Sequence, residues 1–452
     1  MNLKDLHSVY FVGIGGIGMS ALARYFHARG VHVGGYDRTS TELTRTLEAE
    51  GIDIHYTEDI GQLPKQVDLV VYTPAVPDSH AELQHLRHTG TPIRKRAEVL
   101  GIISRGMRTI AIAGTHGKTT TTTLTAYLLR ACGIDCSAFL GGIALDFSTN
   151  FVAGQSGWVV VEADEYDRSF LQLDPDIAVV LSMDADHLDI YGTEASLHET
   201  GFRAFAQKLK PGGTLYLQHN WQEEMGAQRG LQTFGLEGGD YRSERVRVEE
   251  GYFTFDYRSP GHHLEGLQVS LPGRHNVENA TAAISIALQL GAKPADIRPA
   301  LKNFRGIRRR FEFLYRAADG AYVDDYAHHP SELSAAIRAA KELYPGQKVC
   351  GIFQPHLFSR TRDFADGFAE ALAMLDELFL MEIYPAREEP IPGVDSEWLF
   401  QKVQLQRKYL VAPDEAVSRI KEHAPDVLLT LGAGDIDLLR APLKDYFENR
   451  NA

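Results

Sequence analysis

Residues 109–120 constrain this chain more than any other stretch: Thr109-Ile110-Ala111-Ile112-Ala113-Gly114-Thr115-His116-Gly117-Lys118-Thr119-Thr120. A short apolar, β-branched run opens it, two glycines bound a loop, and a helix-compatible segment from Thr121 to Cys132 follows. A strand stiffening one side of a loop and a helix N-terminus facing the other make an anion cradle, because free backbone N–H groups and the helix dipole both point inward. Lys118 then supplies a point charge for β- and γ-phosphates, and the Thr119 hydroxyl suits a Mg²⁺ ion. The Gly114–Gly117 interval is two residues shorter than the common G-x-x-x-x-G-K form. A chance Gly-Lys-Thr in a surface turn is the competing account, but it explains neither the strand before nor the helix after. Gly114, Thr115, His116, Gly117, Lys118, Thr119 and Thr120 are therefore read as a nucleoside triphosphate site.

At 452 residues the chain has room for two to four domains, each with its own core. A formal net charge of −14 argues against a general nucleic-acid or membrane-surface binder, so an anionic ligand must be met by local positive charge. Cys132, Cys136 and Cys350 form neither a disulfide framework nor a thiolate metal site. No export signal and no apolar span long enough for a bilayer is visible, and a cytoplasmic protein without membrane insertion is expected.

Near the start, Val9-Tyr10-Phe11-Val12 reads as a buried strand, followed by Gly13-Ile14-Gly15-Gly16-Ile17-Gly18 and a helix from Met19 to Arg29. A second strand, Val31 to Tyr36, ends at Asp37, where an acid meets a ribose in a dinucleotide fold. A nucleotide-diphosphate site is expected, its nucleotide left open, with NAD the habitual guess. Further strands at 68–72 and near Pro92-Ile93 are trailed by Thr73-Pro74-Ala75-Val76-Pro77 and by Arg94-Lys95-Arg96, which either is a solvated turn or frames an anion.

After the phosphate loop, a strand over 156–161 terminates in Glu162-Ala163-Asp164-Glu165, and a strand over 177–181 in Ser182-Met183-Asp184-Ala185-Asp186-His187. Ligands in open parallel sheets sit beyond the carboxyl ends of strands, so both clusters and the phosphate loop fall on one rim. Glu162 and His187 are placed to hold Mg²⁺; capping of the following helices is the alternative for any single acid. Residues 213–269 alternate in short segments that suggest an antiparallel insertion. His275, Asn276 and Asn279 then offer contacts suited to a purine edge, with helix capping by Asn276 as the competing account. Arg305 to Arg310 reads as a basic hinge. Beyond it, strands at 321–326, 348–353, 378–384 and 427–431 alternate with loops and helices, gathering Asp325, His328, His356 and Arg360 on one edge.

These motifs resemble the Mur ligase family over nearly the whole chain, most specifically in the 13–20 loop, the 114–120 loop, Asp184-Ala185-Asp186-His187-Leu188-Asp189 and Asp324-Asp325-Tyr326-Ala327-His328-His329-Pro330. The resemblance implies an α/β chain of three domains. These are an N-terminal Rossmann-like domain (1–105), a central P-loop-type ATPase domain with a small antiparallel insertion (106–308), and a C-terminal Rossmann-like domain (309–452) that closes on ATP and binds the amino acid. It implies ATP-dependent amide synthesis through an acyl phosphate, joining L-alanine to the lactyl carboxylate of UDP-N-acetylmuramate, with ATP and Mg²⁺ required. The first domain would then hold a UDP-sugar, not NAD, on Gly15, Gly16, Ile17, Gly18, Met19, Ser20, Asp37, Thr73, Ala75 and Arg96. Catalytic roles fall on Lys118, Glu162 and His187, and metal binding on Thr119, Glu162 and His187. ATP contacts extend to His275, Asn276, Asn279, Arg310 and Asp325, and amino-acid or carboxylate contacts fall on His328, His356 and Arg360. A monomer or weak homodimer is expected. Leu357 stands where many relatives carry arginine, which passes any carboxylate contact there to Arg360 or elsewhere, and Tyr166 replaces a smaller polar residue.

Three alternatives bound this reading. A recycling ligase of the same family would add a preformed peptide, but its first loop usually carries a Cys-Gly-Thr pattern that Gly15-Gly16-Ile17 does not fit. A nicotinamide-dependent oxidoreductase would use the first loop differently. A regulatory nucleotide binder without catalysis is opposed by the intact Lys118, Glu162 and His187 set.

Overall fold

The computed structural model describes residues 3–185, 188–317, 320–386 and 388–450. His187, expected at the metal, lies outside the described residues. By Cα packing the chain divides into two compact units, one of residues 1–244, 256–265 and 278–304, the other of residues 245–255, 266–277 and 305–452. No helix among the described residues is long and apolar enough to cross a membrane.

The first unit opens with a five-stranded parallel sheet of β1 (Ser8–Val12), β2 (His32–Tyr36), β3 (Asp53–His55), β4 (Leu69–Tyr72) and β5 (Ile93–Lys95), in the order β3-β2-β1-β4-β5. All five residues of β1 are buried, as befits a strand covered on both faces. The order reverses beside β1, which leaves a crevice beyond its carboxyl end. The run Arg94-Lys95-Arg96, expected as loop, instead ends β5 and begins the helix Arg96–Arg105, with the Lys95 amide donating to Glu98 Oε2 at 2.7 Å.

A ten-stranded sheet follows, in the order β15-β14-β13-β12-β11-β10-β6-β9-β7-β8. Its strands are β6 (Arg108–Ala113), β7 (Ser137–Ala144), β8 (Thr149–Val152), β9 (Trp158–Ala163), β10 (Ile177–Val180), β11 (Thr214–Gln218), β12 (Leu231–Leu236), β13 (Tyr241–Glu249), β14 (Tyr252–Ser259) and β15 (His262–Val269). Central β6 pairs in parallel with β9 and β10, which sets their three carboxyl ends side by side. The stretch expected as an antiparallel insertion continues this sheet, and it begins in parallel: β11 pairs parallel with β10, β12 with β11, and β13 with β12. Leu215, Tyr216, Leu217 and Gln218 are all buried, the mark of an interior strand rather than of one half-wetted by solvent.

The hairpin β7–β8 was not anticipated from the pattern. It packs on the helix Ile17–His27 of the first sheet, where Tyr25 meets Phe139 and Phe151 at centroid distances of 5.5 and 5.8 Å. One hydrophobic core therefore runs through both sheets, from Val9 and Phe11 to Val161 and Leu217.

The second unit carries a six-stranded sheet ordered β16-β17-β21-β18-β19-β20, made of β16 (Glu312–Ala317), β17 (Gly320–Asp325), β18 (Val349–Phe353), β19 (Glu377–Leu380), β20 (Lys408–Leu410) and β21 (Val427–Leu431). Only β16 is antiparallel among the described pairings of this sheet; it was not anticipated either.

Candidate active site

Beyond the carboxyl end of β6, the chain turns through the loop 114–117 and enters the helix Lys118–Ala131. Gly117 sits at the helix N-cap with φ +81°, a left-handed conformation in which an L side chain is strained. A Cβ there would also meet Asn279 Oδ1 at 2.8 Å. The loop is tied to the strand next door: Thr115 N–H donates to the Ser182 carbonyl (3.2 Å) and His116 N–H to Ser182 Oγ (2.9 Å). Helix-start amides are thus presented around a rigid loop, as an anion requires.

Lys118 Nζ donates to the Gly114 carbonyl at 2.7 Å and to both Glu165 oxygens at 2.8 Å. Burial opposes the ammonium charge, but Glu165, with Asp164 and Glu162 behind it, holds Lys118 above its ordinary pKa. Glu162, the penultimate residue of β9, accepts the Gly141 amide at 2.7 Å. Burial pushes its carboxyl up, against the pull of that amide, Lys118 and the Thr119 hydroxyl. A Cβ on Gly141 would collide with both Glu162 oxygens, so β7 admits this carboxylate only because position 141 is bare. Glu162 and Thr119 together form a donor set of hard oxygens beside the helix start, which fits a Mg²⁺ ion.

A cavity of about 290 Å³ joins this group to the first glycine loop. Its lining includes Gly16, Ile17, Gly18, Met19, Thr73 and Arg96 from the first sheet, with Phe139, Leu140, Gly141, Glu162 and Asp164 from the central one. Of the expected sugar-nucleotide residues, Gly15, Ser20, Asp37 and Ala75 do not line it. Asp37 is engaged in holding the loop, Oδ2 accepting from Gly15 N–H at 2.7 Å and Oδ1 from Thr39 N–H at 3.2 Å. Ser20 is buried, its hydroxyl donating to the Ile17 carbonyl and accepting from Asn150. Ala75 is exposed.

Asn279 packs on Gly117. Asn276 lies inside the first turn of the helix Arg274–Gln289, and its amide donates to the Pro272 carbonyl at 2.7 Å, so it fastens the turn rather than capping the helix. His275 is exposed beside Gly273.

In the second unit, Asp325 ends β17 and accepts the amides of Phe311 and Ala327, each at 2.8 Å. Burial, reinforced by Glu332 and opposed by Arg310, pushes its carboxyl up to about 7. His328 N–H donates to Glu332 Oε2 at 3.0 Å, and Arg310 pairs with Glu332 at 3.8 Å. His356 stacks on Tyr384 at 5.7 Å; burial, then Arg360 and His328, brings its pKa down to about 4, so its ring is neutral at pH 7. Its Nδ1 is buried without a hydrogen-bond partner among the described residues. Leu357 holds φ +73°, its amide donating to the Tyr384 carbonyl at 2.9 Å. Sequence reasoning missed Glu165, Gly141, Glu332 and Tyr384. Only Glu165 carried a signal, as a member of the acidic run after β9.

Family models match three consecutive stretches: the Mur ligase family catalytic domain over residues 8–108, the Mur ligase middle domain over 112–287, and the Mur ligase glutamate ligase domain over 309–434. The chain belongs to the Mur ligase family. It is 47% identical to the UDP-N-acetylmuramate–L-alanine ligase of Cytophaga hutchinsonii, an alignment covering 100% of this chain and 99% of the relative. The crystal structure of UDP-N-acetylmuramate–alanine ligase MurC from Thermotoga maritima superposes with a TM-score of 0.83 at 28% identity, covering 98% of this chain and 99% of that one. A murein peptide ligase from Psychrobacter arcticus shares the fold, with a TM-score of 0.70 at 23% identity and coverage of 98% and 99%. The Mur ligase architecture of three α/β domains accounts for the three sheets.

Proposed function

We propose that this chain is an ATP-dependent ligase that joins L-alanine to the lactyl carboxylate of UDP-N-acetylmuramate. The full-length likeness to ligases of that name supports the substrate pair. One observation carries the chemistry: the glycine loop of the first sheet, Arg96 and the Glu162–Asp164 carboxylates line one cavity. A sugar nucleotide laid on the loop would extend its acid toward the residues that hold the transferable phosphate.

In this reading the lactyl carboxylate oxygen attacks the γ-phosphorus, the bridging P–O bond breaks, and ADP leaves an acyl phosphate behind. The alanine nitrogen then attacks the acyl carbon, loses a proton, and phosphate departs as the amide forms. Such transfers depend on positioning and positive charge more than on covalent help. Lys118 and the amides of 114–120 hold the phosphates, and Asn279 the base. Thr119 and Glu162 would hold Mg²⁺, which supplies charge neutralisation at the phosphates. Arg310 and Asp325 are assigned to the nucleotide, and His328, His356 and Arg360 to the amino acid. The Nδ1 of the neutral His356 ring, without a hydrogen-bond partner among the described residues, suits an N–H of the incoming amine.

Phosphate release from ATP is expected only with UDP-N-acetylmuramate and L-alanine both present. Equal turnover with a preformed tripeptide would overturn the L-alanine assignment. Lys118→Ala is expected to lower turnover at least about 10³-fold while UDP-sugar affinity stays within about twofold; a parallel loss of sugar binding would contradict it.

A further inference from the structure

We propose that Glu165 is a positioning residue for Lys118: before nucleotide binds, its two carboxylate oxygens stand in for two phosphate oxygens and keep the lysine in its phosphate-ready conformation. The inference rests on reading 114–120 as the ATP loop. An ammonium has three N–H donors. One goes to the loop carbonyl of Gly114 at 2.7 Å, and the other two go to Oε1 and Oε2 of Glu165 at 2.8 Å each. A lysine that reaches β- and γ-phosphates likewise presents its donors side by side to two oxygens.

Glu165 is held in place by burial and through its backbone. It is fully buried, and its own carbonyl accepts from the Tyr191 hydroxyl at 2.8 Å and from Arg168 N–H at 3.0 Å. The turn behind it carries two successive non-glycine residues in the left-handed region, Asp167 at φ +50° and Arg168 at φ +56°. Strain of this kind persists only where the surroundings over-determine it. Here Phe170 N–H bonds the Asp164 carbonyl at 2.9 Å, and the Phe170 ring stacks on Phe205 at 5.1 Å. The backbone that carries the carboxylate is thus fixed before the nucleotide arrives, and the arriving triphosphate takes over the two contacts to Lys118. Glu165 costs some nucleotide affinity, because it competes with and repels the phosphates. It returns a lysine already aimed for transfer.

The test separates affinity from turnover. Glu165→Gln is expected to bind a non-hydrolysable ATP analogue as tightly as wild type or up to about tenfold tighter by calorimetry, while kcat falls about 10–100-fold. Glu165→Asp should fall between the two. The melting-temperature gain on adding the analogue should be at least as large in Glu165→Gln as in wild type. Weaker analogue binding by Glu165→Gln, or a kcat equal to wild type, overturns the proposal. Failure of the underlying reading looks different: the wild-type protein would not bind the analogue, or Lys118→Ala would bind it undiminished.

Discussion

At the residue scale, the decisive chemistry divides into side chains that announce themselves and neighbours that do not. Lys118 is legible because its meaning lies in adjacent positions, Gly117 before it and Thr119 after. Gly141 is illegible because its meaning lies 21 residues away, in the carboxylate that its missing side chain admits. That contact makes a sharp prediction. Gly141→Ala places a methyl group against both Glu162 oxygens, so Glu162 must swing or β7 must shift. The fold should survive, since β7 keeps its pairing with β9. Turnover should drop about 10–100-fold, with the Mg²⁺ concentration for half-maximal rate raised several-fold, because the displaced group is the oxygen donor. Titrating Mg²⁺ against initial rate checks this, and an unchanged Mg²⁺ dependence counts against Glu162 as a metal ligand.

At the element scale, the long buried parallel strands were readable, while the β7–β8 hairpin and β16 were not, and β11 to β13 were expected with the wrong direction. Strands such as β6, β10 and β21 are continuous apolar runs ending in loop chemistry, and a run buried on both faces is a strong local signal. The β7–β8 hairpin carries Gly141-Gly142 in mid-strand, and β16 is half-buried along most of its length, so neither shows a clean period. The ends of the parallel strands hold the polar groups, and β17 shows the consequence for pH. Asp325 is raised in the fold to about 7 from an ordinary value of 3.8. The folded state therefore binds its proton more tightly than the unfolded one. Its contribution to stability is complete below about pH 4 and is lost as pH rises through 7. Asp325→Asn removes that titration but replaces one of two amide acceptors with a donor, at a cost of about 1–2 kcal/mol. Urea unfolding of both proteins from pH 4 to 8 should show the mutant's deficit shrinking as pH rises, then levelling above 7. A deficit independent of pH would mean the carboxyl titrates normally.

At the scale of the whole molecule, the sequence reads as a first domain ending near Arg105, and the hydrophobic core continues across that point into the central sheet. Nothing local could have said so, because the joining residues are Arg24 in the first helix and Asn150 in a hairpin 126 positions later. Asn150 is fully buried; its amide donates to the Ile17 carbonyl at 2.6 Å and to Ser20 Oγ at 2.8 Å, and its carbonyl accepts from Arg24, which also pairs with Glu50 at 2.7 Å. With Tyr25 against Phe139 and Phe151, this makes the glycine-loop helix part of the same core as the central sheet. Asn150→Ala would leave a buried Arg24 guanidinium N–H without its acceptor, while the Ile17 carbonyl keeps the Ser20 hydroxyl, a loss of about 2–4 kcal/mol. Because the core is shared, the loss should reach both sheets. Amide exchange in β1 and in β6 should accelerate by similar factors, and UDP-sugar affinity should fall with them, since Ile17 lines the cavity. If exchange quickened in β7 and β8 alone, the two sheets would be independent folding units, and the cavity that joins the sugar-nucleotide loop to Glu162 would be a contact of convenience rather than a preformed site.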